Sequence, residues 1–303
     1  MSENNTMMRE ADNKVFIEGT VSEISMEVKQ VQGKEAISGE IVVLTGDNLI
    51  HTVDVFAYKL KKDGTENSVF KGLSTVMTDY KSIAKFGMDE ADKVRISGAK
   101  LVVNDWYNPA GVLSSTVKIN TNFVNRLKAG EEFNPKAEFE VEVFIHKITD
   151  ETDKKTNDLT GRKIISGLVP IYDGKVVPMD FVVADKDLIN AVTAMYEAGQ
   201  TIKIYGDLNN TVITTTKVTA VAIGKPKETT STITTNERIF TGGSDPYMED
   251  SALAFKVDTI KNAMSVRTEA LEELKNKKTS PSNGNAGGKT ASSTPKSGKA
   301  LPF

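Results

Sequence analysis

The chain has no cysteine, two histidines and one tryptophan among its 303 residues. Without cysteine there can be no disulfide framework, thiolate zinc site or thiol nucleophile. His51 and His146 alone leave little material for a histidine metal site or general base. Long apolar runs are also missing. No stretch approaches the roughly 18–20 residues that a membrane helix needs. Residues 1–12 are polar and charged, without the apolar segment of a signal peptide. These absences lead to the expectation of a cytoplasmic protein with no membrane, metal or cofactor partner.

Catalytic signatures are lacking as well. No Gly-x-Ser-x-Gly or His-Glu-x-x-His motif occurs. Residues 284–290 imitate a phosphate loop, but position 283 is Asn where the pattern requires Gly, and no strand pattern precedes it. Asp150, Glu151, Asp153 and Asp158 crowd one loop at spacings that fit no calcium template, and they read as a solvated acidic loop. The expectation is a non-enzymatic protein.

What is present suits a soluble chain of about two domains. Hydrophobic residues make up 39% and charged residues 26%, with 38 basic against 41 acidic side chains and a net charge of −3. Only the segment 279–303 is basic overall, with Lys289, Lys296 and Lys299 and no acid. That segment is rich in Ser, Gly, Pro, Asn and Thr. It cannot bury enough apolar surface to offset its ordering entropy, so it reads as a disordered tail.

A degenerate repeat organises the rest. Ile37-Ser38-Gly39 recurs as Ile165-Ser166-Gly167, each followed by a turn glycine, Gly46 and Gly174. Next come strand-like runs, Val53-Asp54-Val55 and Met179-Asp180-Phe181. Helical spacings then follow at Leu73, Val76, Met77, Tyr80 and Ala84, and at Leu188, Ala191, Val192 and Met195, the second opened by Asp185 or Asp187. Val94-Arg95-Ile96-Ser97-Gly98 matches Ile202-Lys203-Ile204-Tyr205-Gly206, and a last strand is expected near residues 117–119 and 218–221. Alternating opening strands precede both copies, at residues 14–21 and 139–145.

Strand, strand, strand, helix, strand, strand is the order of an OB-fold. The fold class expected is therefore mainly β with α: tandem OB-like five-stranded Greek-key barrels, a C-terminal helix and a disordered tail. The expected divisions are a disordered N-terminus at 1–12, a first barrel at 13–128, a linker at 129–136 and a second barrel at 137–224. A second linker covers 225–249, a helix 250–278 and the tail 279–303. Leu253, Val257, Ile260, Met264, Leu271 and Leu274 form a seam on that helix, with Arg267 in the one charged position. The seam could dock on a barrel or pair with a second copy of the chain, and docking within the chain is the preferred reading.

The binding residues follow from the barrel. Trp106 and Tyr107 stand where the hairpin between the fourth and fifth strands of the first barrel should turn, and a hairpin tip can present a flat ring to a base. In the third strand, Val53, Val55 and Ala57 should face inward, leaving Phe56 and Tyr58 outward, followed by Lys59, Lys61 and Lys62. Outward aromatics beside lysines suit bases and phosphates. Lys29 and Lys34 in the first barrel, and Arg162 and Lys163 in the second, are further phosphate candidates. The competing readings are a core lid for Trp106 and helix packing for Phe56 and Tyr58.

Residues 93–124 resemble the corresponding region of bacterial and phage single-stranded DNA-binding proteins. The shared pattern is Val94, Ile96 and Gly98, then Leu101, Trp106, Gly111 and Val117. The terminal Leu301-Pro302-Phe303 is similar to the Ile-Pro-Phe end with which that family recruits replication and repair partners. This tail departs from the family in carrying three lysines where acids are usual. Two barrels in one chain look like a phage or mobile-element version. The resemblance implies non-sequence-specific single-stranded DNA binding during replication or recombination, with partner proteins recruited through the tail. The alternative is a protein-interaction or structural module built on the same barrels.

Overall fold

The computed structural model describes residues 8–219 and 227–279. Its opening strand β1 (Asn13–Val31) buries Val15, Ile17 and Val21, the alternate positions. β2 (Lys34–Gly46) and β3 (Leu49–Tyr58) continue as an antiparallel meander. Asn67 closes β3 and opens α1 (Ser68–Asp79). Its Nδ2 donates to the Tyr58 carbonyl at 2.8 Å, and its Oδ1 accepts from the Val69 N–H at 3.1 Å, which caps the helix. α1 buries Leu73 and Val76 over the barrel end. The short α2 (Ile83–Phe86) follows, then β4 (Lys93–Tyr107), β5 (Leu113–Thr121) and β6 (Asn125–Arg126).

β5 runs parallel to β3 from Val53–Ile119 to Val55–Thr121, and β4 lies antiparallel between β5 and β1. The ring β1-β2-β3-β5-β4 is thereby closed, with the helix between its third and fourth strands. This is OB topology.

The second barrel repeats it with β7 (Lys136–Thr152), β8 (Leu159–Ile171), β9 (Lys175–Val183), α3 (Lys186–Met195), β10 (Thr201–Thr219) and β11 (Lys227–Gly243). β9 meets β11 in parallel at Val182–Ile239, and β10 returns to β7. Asp185 caps α3 by accepting from the N–H groups of Asp187 and Leu188 at 2.9 and 3.0 Å. The fold is mainly β: two OB-like barrels in tandem with a C-terminal helix.

The first strands of the barrels pair with each other, antiparallel from Asn13–Val141 to Glu18–Lys136, so all eleven strands form one sheet. The buried Asn13 side chain anchors the start of β1 to β4 of its own barrel, donating to the Leu101 carbonyl at 2.8 Å and accepting from its N–H at 2.9 Å. The repeated Ile-Ser-Gly has a physical cause. Both glycines lie against the first strand of their barrel, where a Cβ on Gly39 would strike the Ser25 backbone and one on Gly167 would press on Val143 at 3.0 Å.

The structure departs from the sequence reading in five places. The last strand of the second barrel is β11, inside the stretch read as the 225–249 linker, so that barrel extends beyond 224 to Gly243. Along β11 Ile233 is exposed, and from residue 230 onward the first described side chain to enter the core is Phe240. The first helix stops at Asp79, because Tyr80 turns extended and its hydroxyl bridges the Val124 carbonyl and the Arg126 N–H at 3.0 and 3.1 Å. The last helix, α4 (Val257–Thr279), starts seven residues after position 250. The strand alignment shifts as well. Ser38 pairs with Phe56 and Ser166 with Asp180, so the second barrel places Asp180 and Val182 where the first has Phe56 and Tyr58.

Residues 8–12, read as part of a disordered N-terminus, are the fifth difference, since they pack across the second barrel. Arg9 grips Glu142 at 2.6 and 3.2 Å, and its guanidinium lies 4.4 Å from the centre of the Phe255 ring. The Asp12 N–H and the Tyr247 hydroxyl also donate to Glu142, at 2.8 and 2.9 Å. Burial works to raise the Glu142 carboxyl pKa, but Arg9 and the two other donors outweigh it and hold it below its ordinary value. This clasp seats the segment before α4. The seam of α4 docks within the chain, where Ile260 and Ala263 are buried and the helix packs against β9. Leu253, Val257 and Leu274 of the seam stay exposed. Arg9→Ala leaves a nearly buried carboxylate without its cation. It should lower the unfolding free energy by about 2–3 kcal/mol, allowing for the partial exposure of Arg9. Urea unfolding followed by circular dichroism checks this, and an unchanged midpoint would assign the clasp to Asp12 and Tyr247 alone.

Candidate nucleic-acid interface

Alternation along β3 points Val53, Val55 and Ala57 into the barrel and leaves Thr52, Asp54, Phe56 and Tyr58 outside. Strand pairing extends this outer face in rows. Lys29, Ala36 and Tyr58 form one row across β1, β2 and β3. Glu27, Ser38 and Phe56 form the next, and Ser25, Glu40 and Asp54 the third. Phe56 is 37% exposed, and its ring meets Tyr58 edge-on at 5.0 Å between centroids.

The β1–β2 turn brings Lys34 Nζ to 6.0 Å from the Tyr58 ring. The loop after β3 is folded by Asp63, which accepts from the N–H and hydroxyl of Thr65, and it carries Lys59, Lys61 and Lys62 back toward that turn. A pocket of about 520 Å³ lies between, lined by Lys34, Tyr58, Lys59, Leu60, Lys61 and Lys62. Two lysines here are partly engaged: Lys59 with Glu35 and Lys29 with Glu27, each at 2.9 Å.

Trp106 is 41% exposed on the β4–β5 hairpin, opposite Ser114, and Tyr107 is half-buried opposite Leu113. The outer surface links Trp106 to the β3 face. Asp54 Oδ2 accepts from Lys118 Nζ at 2.8 Å, Lys118 pairs with Val102, and Trp106 follows on the same side of β4 as Val102. The hydrogen bond to Asp54 raises the Lys118 pKa, with Glu40 adding to it at 3.5 Å. The neighbouring Asp105 is held by Arg267 of α4 at 2.5 Å, which fixes the hairpin from behind.

The structure thus gathers Phe56, Tyr58, Lys29, Lys34, Lys59, Lys61 and Lys62 on one face, with Trp106 at the far end of the same surface; Tyr107, the next residue of β4, alternates to the opposite side, with Asp105. It does not bring Arg162 or Lys163 there. Arg162 lies on the second barrel between Glu151 at 2.6 Å and Glu237 at 2.9 Å, and those carboxylates stabilise its charge. Lys163 sits on Asp150 at 2.7 Å. Asp153 accepts from the N–H groups of Lys155 and Thr156, so the acidic loop is tied up by its own partners. Leu301, Pro302 and Phe303, the rest of the tail beyond Thr279 and the loop-like 284–290 lie outside the described residues.

Sequence reasoning missed the contribution of the second barrel to this surface. The β10–β11 hairpin reaches across to β3, where Thr211 pairs with Leu49, and encloses a cleft of about 340 Å³. Thr52, Asp54 and Lys118 form its floor, while Asn210, Asn236 and Arg238 form its wall. The available signal was the richness in Thr, Val and Ile of 211–223 and 229–235, residue types that favour strands even where they are not buried.

A family model described as YorF matches residues 11–277. No curated protein matches the chain. Among solved structures, the chain is similar to a deletion mutant of the single-stranded DNA binding protein from Thermus aquaticus, with 10% identity and a TM-score of 0.48. The match covers 81% of this chain and 99% of that one. It is also similar to the wild-type protein from Thermus aquaticus, with 9% identity, a TM-score of 0.46, and 80% and 97% of the two chains covered.

Proposed function

The chain belongs to the YorF family, and for this member we propose non-sequence-specific binding of single-stranded DNA along the outer face of its first barrel. One observation carries the reading: Phe56 and Tyr58 stand exposed or half-exposed amid five lysines, on a surface that runs on to Trp106. Stacking on such rings accepts any base, and lysines placed around them meet phosphates. A duplex keeps its base faces stacked inside, so the same surface offers it only the weaker charge contacts.

In this reading the protein makes and breaks no bonds. It coats and protects strands during replication or recombination in the cytoplasm, and the tail ending in Leu301-Pro302-Phe303 recruits partner proteins. A homo-oligomer would form through the exposed part of the α4 seam. Among the described residues, no helix is long and apolar enough to cross a membrane.

A second reading draws on Glu27, Glu40 and Asp54, which share the face with the aromatics. It makes that face a docking site for a protein. Trp106 fluorescence separates the two, because this is the sole tryptophan. Titration with oligo-dT should quench it, less so at high salt, and duplex DNA should leave it unchanged. No quenching together with no gel shift at low salt would end the DNA reading in favour of the protein-docking one.

A further inference from the structure

The chain has six arginines, and five of them (Arg9, Arg95, Arg126, Arg162 and Arg267) sit on a carboxylate. Arg238 has no such ion pair among the described residues. Its Nε donates to the Asp180 carbonyl at 2.7 Å and its Nη1 to Asn236 Oδ1 at 3.3 Å. Asn236 in turn donates to the Val117 carbonyl of the first barrel at 3.4 Å. Arg238 is therefore braced across the joint of the two barrels, half-buried, in the wall of the inter-barrel cleft. Burial works against its charge. The other cation there, Lys118, is already taken by Asp54 and Glu40. Asp180 and Glu237 act on its charge from a distance, but the groups it touches directly are neutral acceptors, so its planar fork is left without the anion that it matches best.

We propose that this cleft takes a phosphodiester of the bound strand, with Arg238 as its ligand and the β10–β11 hairpin as an arm closing over the face of the first barrel. The proposal rests on the single-strand reading above and adds a contribution from the second barrel. The cleft floor belongs to the surface that carries Phe56 and Trp106, so a strand stacked on both must pass beneath the arm. Glu40, Asp54, Lys118 and Arg238 in the cleft sum to no net charge, and Asp180 and Glu237 act on Arg238 from just outside it. The contact is therefore short-range and does not steer the strand from a distance.

The test is oligo-dT affinity of the full chain, measured by fluorescence anisotropy across a salt series. Arg238→Ala should weaken binding about tenfold and reduce the slope of log affinity against log salt by about 0.7, the share of one phosphate. Arg238→Lys should keep the slope while losing part of the affinity. If Arg238→Ala also lowers the melting temperature, Arg238→Lys decides, and wild-type affinity and slope in that variant overturn the proposal. So does a folded Arg238→Ala that binds as wild type does, while Phe56→Ala is impaired. No binding by the wild-type chain would instead overturn the single-strand reading itself. Inorganic phosphate should compete with oligo-dT beyond chloride of equal ionic strength, and lose that advantage in Arg238→Ala; equal competition in both chains overturns the assignment.

Discussion

Lowering the pH from 7 to 4 should remove about 3 kcal/mol of stability through one side chain, His51. Its ring is fully buried at the joint of the barrels, with Nε2 2.9 Å from Thr45 Oγ1 and Nδ1 3.2 Å from Asn210 Nδ2. With the Asn210 amide as donor, Nδ1 accepts and Nε2 carries the proton. A second proton on Nδ1 would face the Asn210 N–H and would require that amide to turn its unpartnered Oδ1 toward the ring. Burial pushes the pKa down to about 4 from 6.5. The unfolded chain therefore binds the proton first. Stability from this group is complete above pH 6.5, falls as the pH drops below that, and is lost by about pH 4. Each pH unit of that gap is worth about 1.4 kcal/mol.

Glu18 and Glu142, whose pKa values are lowered by Arg95 and by Arg9, lose their contributions only further down, below the ordinary carboxylate value of 4.5. Urea unfolding at pH 7, 5.5 and 4, compared with His51→Gln, isolates the histidine. The wild type should lose stability from pH 7 to 5.5 while the variant, less stable at pH 7, stays level over that interval. Parallel curves would show that His51 takes up its proton at the same pH folded and unfolded, so that burial does not lower its pKa. Because Asn210 belongs to β10, acid should loosen the arm on the first barrel before either barrel melts.

The second large effect is on binding. Replacing both Phe56 and Tyr58 with Ala should weaken oligo-dT binding by about 3 kcal/mol, roughly a hundredfold, since each stacked base is worth about 1–3 kcal/mol. Both rings lie outside the barrel, so the melting temperature should barely move. Phe56→Trp should keep the affinity of the wild type because it retains a flat face. Anisotropy with labelled oligo-dT measures all three chains. A double variant that binds as wild type does would remove stacking on β3 from the mechanism.

The outward setting of Phe56 and Tyr58 is legible in the sequence. A strand alternates with period two, and three small apolar residues at 53, 55 and 57 fix which face is buried. The same short-range logic identifies the strand order, the acidic start of α3 and the Ile-Ser-Gly repeat, whose glycines answer a close strand crossing. Such features depend on neighbours a few residues away, so the local pattern carries them.

What the pattern could not carry depends on residues far apart in the chain. β11 is a strand because β10 and β9 supply its hydrogen bonds, not because its own side chains are buried. Pairing register, set by packing, replaced Phe56 and Tyr58 with Asp180 and Val182 in the second barrel and so made the two faces unlike. Arg162 looked like a phosphate ligand until the fold placed Glu237, 75 positions away, beside Glu151. Arg238 carried no mark in sequence, because the absence of a direct ion pair among the described residues is visible only when the nearby groups have been placed. Local periodicity determined most of the elements, the barrel order and the aromatic face. The meeting of the barrels, the partner of each charge and the arm over the cleft were decided by tertiary packing alone, because electrostatic pairing and strand register depend on distances in space that no spacing along the chain encodes.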